Sequence, residues 1–244
     1  MENTAYIALS GQSALKRKMS VIANNLANMN TTAFKGEKMM FVEHLVKSKG
    51  GKSFIPQKLT YTRDVAQYQN LAEGPIKNTG NPLDIAIHGD GYFVVETADG
   101  DRYTRNGHFS LNNEGQLVNL NNQAILSDAG TPFFLGPEDT DIKITPDGLI
   151  STRNGDIGKI RIVKFDTPQN LEKTASGLYS SKDQPLEVDN PNLQQRSLES
   201  SNVNPMSEIT KMINVQRAYD SVRTFIDKED QRQKRMVQQL TPRG

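Results

Sequence analysis

The chain has 244 residues, and 29 Lys and Arg stand against 28 Asp and Glu for a formal net charge of +1, which excludes long-range steering toward nucleic acid or an anionic membrane surface. Cysteine is absent, so disulfides and thiolate metal sites are excluded as well. With 35% hydrophobic residues and a mean hydropathy of −0.61, one large core is not expected, and an elongated shape or small modules fit better.

In chain order, the first predicted element is a helix from about Thr4 to Asn30. Ala8, Leu15, Met19, Ile22, Leu26 and Met29 keep three-four spacing, with Gln12 filling the gap. This is a seam narrower than the stripe of an ordinary surface helix. The stretch "VIANNLANMN" places Asn24, Asn25, Asn28 and Asn30 in and around that seam. Asparagine is a mediocre helix former that competes for its own backbone, so these amides need partners. No uninterrupted apolar run precedes them, because Lys16, Arg17 and Lys18 interrupt it. A cleaved secretory signal is therefore not expected, nor is a membrane span.

After the helix, residues 36–80 read as an extended connector and 81–190 as a β body. "YFVVET", "RYTR", "HFSL" and "QLVNL" are separated by Asp99-Gly100, Asn106-Gly107, Asn113-Glu114-Gly115 and Asn121-Asn122. Asn-Gly and Asp-Gly are strong hairpin signals, since both turn positions need positive φ. A second run, "IKIT", "LISTR" and "KIRIVKF", continues the pattern, and an antiparallel barrel or sandwich is expected. Residues 191–244 hold a further connector and the last helix. There Asn204 is the expected N-cap, Pro205 the first helical residue and Glu208 a first-turn acid. Met212, Val215, Tyr219, Val222, Ile226, Met236 and Leu240 repeat the three-four rhythm, with Glu229 and Gln233 at the two intervening positions, over a helix about 54 Å long. The expected fold is thus α+β: long N- and C-terminal helices, with residues 1–35 as the first, form an antiparallel coiled-coil layer around an inserted all-β body.

The search for chemistry is less productive. His44, His88 and His108 stand in no metal-ligand spacing, and hydrogen bonding accounts for each. "HGDGYF" lacks the third glycine and the following helix of a dinucleotide loop. "NNEG" and "NGDIG" lack the twelfth-position glutamate of a calcium loop. No catalytic, cofactor-binding or metal site is expected. Tyr6, Ile7, Leu9, Val21, Met206, Ile209, Ile213 and Phe225 lie off the seams, and apolar residues left exposed usually mark protein contacts.

Four ordered blocks, "ANNLANMNTTAFK", "NPLDIAIHGDGYFVV", "YTRNGHFSLNNEGQLV" and "SNVNPMSEITKMINVQRAYD", resemble those of the bacterial flagellar rod and hook family. Length and the opening segment are most similar to its proximal-rod branch, with the distal-rod branch the near alternative. The family usually has glycine where this chain has Ala33, and alanine disfavours a left-handed turn. The resemblance implies a structural subunit that stacks helically into a torque-transmitting rod across the periplasm. Its partners would be copies of itself, other rod proteins and the flagellar type III export apparatus, with no nucleic acid, no membrane insertion and no cofactor. Assembly would run through Leu15, Met19, Ile22, Asn24, Asn25, Leu26, Asn28 and Met29, and on the last helix through the residues of its rhythm. A ligand-binding β module on a helical stalk is the competing reading from another class, and a hydrolase a third.

Overall fold

The computed structural model describes residues 2–47, 58–136, 138, 139, 141–174 and 177–240. The chain divides into two compact units, one built from residues 1–29, 37–70 and 203–244 and the other from 30–36 and 71–202.

The first unit holds helix α1 (Glu2–Ala27), strands β1 (Glu37–Lys47) and β2 (Lys58–Gln69), and helix α2 (Pro205–Leu240). β1 and β2 pair antiparallel along their whole length, with one bulge between Met40 and Phe41. They lie in the stretch read as a connector. Asn204 caps α2, its Oδ1 accepting from the Ser207 amide at 3.1 Å while its carbonyl accepts from Glu208. α1 packs on α2 and also on both strands of the hairpin.

The second unit carries β3 (Ile76–Asn78), β4 (Ile85–His88), β5 (Tyr92–Thr97), β6 (Gly100–Thr104), β7 (Ser110–Leu111) and β8 (Leu117–Val118). It continues with β9 (Lys143–Ile144), β10 (Leu149–Thr152), β11 (Gly155–Lys159), β12 (Ile162–Lys164) and β13 (Glu172–Lys173). β14 (Tyr179–Ser180), β15 (Leu186–Glu187), β16 (Asn192–Gln195) and β17 (Ser197–Glu199) complete it. The largest sheet runs β13-β14-β6-β5-β12-β15, a second runs β11-β10-β9, and β16-β4, β17-β3 and β7-β8 are two-stranded. β5 explains its unbroken apolar run "YFVV". Phe93 and Val95 enter one core cluster with Ile85, Ile87, Phe109 and Ile125, while Tyr92 and Val94 enter another with Tyr103, Val163 and Phe165.

The expected architecture is therefore corrected on both counts. The terminal helices do not form a coiled-coil layer around a barrel or sandwich. The described chain has two α-helices and is otherwise mostly strands in several small sheets. The turns that announce the strands also cut them to two to six residues in the second unit, and sheets that short do not close on themselves. On α1 a second row, Gly11, Ala14, Lys18, Val21 and Asn25, is covered alongside the seam, and both strands of the hairpin pack on this helix. A helix covered along two rows is part of a helix–hairpin layer, not one strand of a coil.

Two local expectations also change. Asn106-Gly107 makes no hairpin; the Gly107 carbonyl accepts from the Ile85 amide, and a Cβ on Gly107 would lie 1.7 Å from the Ile85 carbonyl oxygen. Ala33 does adopt the left-handed conformation, at φ 56°, despite its side chain.

Candidate functional site

In the first unit the asparagines converge at the end of α1. The Asn25 side chain is a double clamp on Glu37: its Nδ2 donates to the Glu37 carbonyl at 2.8 Å and its Oδ1 accepts from the Glu37 amide at 2.8 Å. The same Nδ2 donates to Glu208 Oε2 at 3.3 Å, joining the end of α1 to the first turn of α2. Asn24 Nδ2 donates to Glu37 Oε2, which also accepts from Gln67. Asn28 Nδ2 donates back to the carbonyl and side-chain oxygens of Asn24. Glu208 in turn accepts from Lys211 at 2.6 Å. The buried Asn25 amide thus finds its partners inside the chain, as burial requires.

Of the other expected assembly residues, Ile22 and Val215 are buried. Leu15, Met19, Leu26, Met212, Tyr219, Val222, Ile226 and Met236 are half-buried, and Met29 is exposed. The Leu240 side chain lies outside the described residues. Apolar surface remains open elsewhere on the helices. Met206, Ile209 and Ile213 are 76%, 42% and 45% exposed and fall on one face of α2, while Tyr6 and Leu9 are exposed on α1.

The second unit contains a buried charge cluster that the sequence reading did not single out. Glu199 Oε1 accepts from Lys35 Nζ at 2.6 Å and from the Gly74 amide at 2.9 Å. Its Oε2 accepts from Arg105 Nε at 2.8 Å. The remaining donors are satisfied by carbonyls: Lys35 Nζ reaches Ala72, and the Arg105 guanidinium reaches Gly89, Gly91 and Ile87. All three side chains are nearly inaccessible. Burial pulls the Lys35 ammonium below its ordinary range, and the adjacent Glu199 carboxylate opposes that pull. Tyr92, whose ring lies 6.0 Å from the Arg105 guanidinium carbon, has its phenol pushed up by burial. A signal was present in the sequence, since Lys35 and Arg105 lie inside the resemblance blocks and Glu199 two residues before another. Nothing in their separations of 164 and 94 residues announces that they meet.

The histidines pair with carboxylates. His108 Nδ1 is 2.7 Å from Asp84 Oδ1, and Asp84 also accepts from Thr79 Oγ1 and Asn81 Nδ2. His88 Nδ1 is 2.8 Å from Glu73 Oε1. The Thr79 hydroxyl donates to the carboxylate, so it is not placed to give its proton to the imidazole. The His44 side chain lies outside the described residues. Among those residues no three or more His, Cys, Asp or Glu gather where a metal ion could be held, and no helix is long and apolar enough to cross a membrane.

Comparison with known proteins places these features in a family. Residues 6–35 match the flagella basal body rod protein family, 86–152 the flagellar hook protein FlgE/F/G D1 domain, and 194–239 the flagellar basal body rod FlgEFG protein C-terminal family. The chain is 36% identical to the flagellar basal-body rod protein FlgF of Caulobacter vibrioides over 98% of both chains. It is 34% identical to FlgF of Mesorhizobium japonicum over 91% of this chain and 90% of that one. FlgG of Bacillus subtilis is 32% identical over 95% of this chain and 96% of its own. The chain belongs to the flagellar basal-body rod protein family.

Proposed function

We propose that this chain is a structural subunit of the flagellar basal-body rod, and that it takes a proximal place of the FlgF kind. The observation that carries the reading is the 36% identity to an FlgF protein along 98% of both chains. The subunit works by contact rather than catalysis, with copies of itself and with other rod proteins. Contact would run through the exposed apolar face of Met206, Ile209 and Ile213, through Tyr6 and Leu9, and through the outward flanks of the expected assembly residues. Helical stacking would transmit torque, and export would proceed through the flagellar type III apparatus without a cleaved signal.

An epitope label on this chain, located by electron microscopy on purified basal bodies, tests the reading directly. Label confined to the membrane-proximal end of the rod supports it. Label on the distal rod moves the chain to the FlgG kind, and absence of label from the rod refutes it. Ile209→Asp with Ile213→Asp should leave a folded protein that is missing from basal bodies.

A further inference from the structure

The charge cluster gathers parts of the second unit that are far apart in the chain. Lys35 belongs to the segment 30–36, Ala72 and Gly74 to the segment that opens at residue 71, and Glu199 to the segment that ends at residue 202. Backbone bonds bind the same segments to each other. The Ala33 amide donates to the Glu199 carbonyl at 2.8 Å, Asn202 to Phe34 at 3.2 Å and Ser200 to Pro75 at 2.9 Å. The Gly36 amide donates to Asn202 Oδ1, and Asn202 Nδ2 donates to the Ala72 carbonyl. The fit is close, since a Cβ on Gly74 would lie 2.0 Å from the Ser200 carbonyl oxygen. The segments that carry the chain into and out of this unit, 30–36 and the two ends of 71–202, all contribute to these contacts.

We propose that Lys35, Arg105 and Glu199 form a latch that holds segments 33–36, 72–76 and 199–202 as one cooperative element. The reasoning is electrostatic. Among the described residues Glu199 is the one carboxylate within hydrogen-bonding distance of either cation in the cluster, and it serves both. Withdrawing it leaves two like charges buried without a hydrogen-bonded counterion, which is far more costly than losing a surface pair. No segment can therefore leave while the others stay, and the three open or close together.

Amide hydrogen exchange on the full chain, under conditions that report the opening equilibrium, tests this. The amides of Ala33, Gly36, Gly74, Ser200 and Asn202 should share one opening equilibrium. Glu199→Gln should speed all five by one common factor of about tenfold or more. The Ile160 amide, bonded to Gly148 away from the latch, should keep its rate. Should Glu199→Gln fail to fold, Glu199→Asp keeps the charge on a shorter arm and should show the same common factor at smaller size. Acceleration of Gly74 alone, factors that differ from segment to segment, or equal acceleration of Ile160 would each overturn the latch.

Discussion

Asn25 and Glu208 are 183 residues apart in the chain, and their side chains meet at 3.3 Å in a buried contact. Because the same amide also clamps the Glu37 backbone in both directions, one side chain ties α1, β1 and α2 together. Asn25→Ala removes three hydrogen bonds, two of them to the Glu37 peptide groups. It should cost about 2–4 kcal/mol in urea unfolding. Asn24→Ala, at an exposed position, should cost about 0.5 kcal/mol or less. Equal effects would show that the clamp does not carry this junction.

Ala33 occupies a conformation that glycine adopts freely, at φ 56°. The strain is about 1–2 kcal/mol for a residue with a Cβ. Glycine's greater unfolded-state entropy takes back about half of that. Ala33→Gly should therefore raise stability by about 0.5–1 kcal/mol, measured by thermal unfolding. Gly74→Ala should do the reverse, at about 3 kcal/mol or more, because its Cβ would overlap the Ser200 carbonyl.

Acid should loosen the corner held by Glu73. Partial burial pushes this carboxyl up, but the Gly89 amide and His88 outweigh it and hold its pKa below the ordinary 4.5. With the folded value depressed, the contribution to stability is present above about pH 4.5 and is lost as pH falls through the folded value. Glu73→Gln should flatten that part of the pH–stability curve. A variant that tracks the parent down to pH 3 or so would contradict the assignment.

Core and surface aromatics should separate cleanly. Phe93 is fully buried, edge-on to Phe109 at 5.0 Å, and Phe93→Ala should cost about 3–5 kcal/mol. Phe134 is 57% exposed, and Phe134→Ala should change stability by about 0.5 kcal/mol at most.

How much of this was legible depended on whether the signal was local. The three-four rhythm and the Asn204 cap are local, and α2 begins at Pro205 as they indicate. Turn residues likewise announced β5 and β6, and β7 and β8, whereas β11 runs through "GDIGK", a stretch read as turn. The β1–β2 hairpin was missed because ten residues, with no tight Asn-Gly turn, separate Lys47 from Lys58, and because Glu43, His44, Arg63 and Asp64 interrupt its apolar pattern. Short turns were mistaken for the corners of a barrel, since turn chemistry shows where strands stop but not which strands pair. β16 and β17 return to β4 and β3 across more than a hundred residues, and nothing local encodes that closure. That Lys35, Glu199 and Arg105 meet was hidden for the same reason.

The way the largest sheet ends bears on how such a chain survives crowding. Its outer strands, β13 and β15, are two residues each and include Glu172, Lys173 and Glu187. A long, flat, apolar border would offer its unpaired amides and carbonyls to any neighbouring copy and invite runaway fusion. These borders are too short and too charged to serve as templates. Subunits can therefore be concentrated side by side without their largest sheets fusing edge to edge.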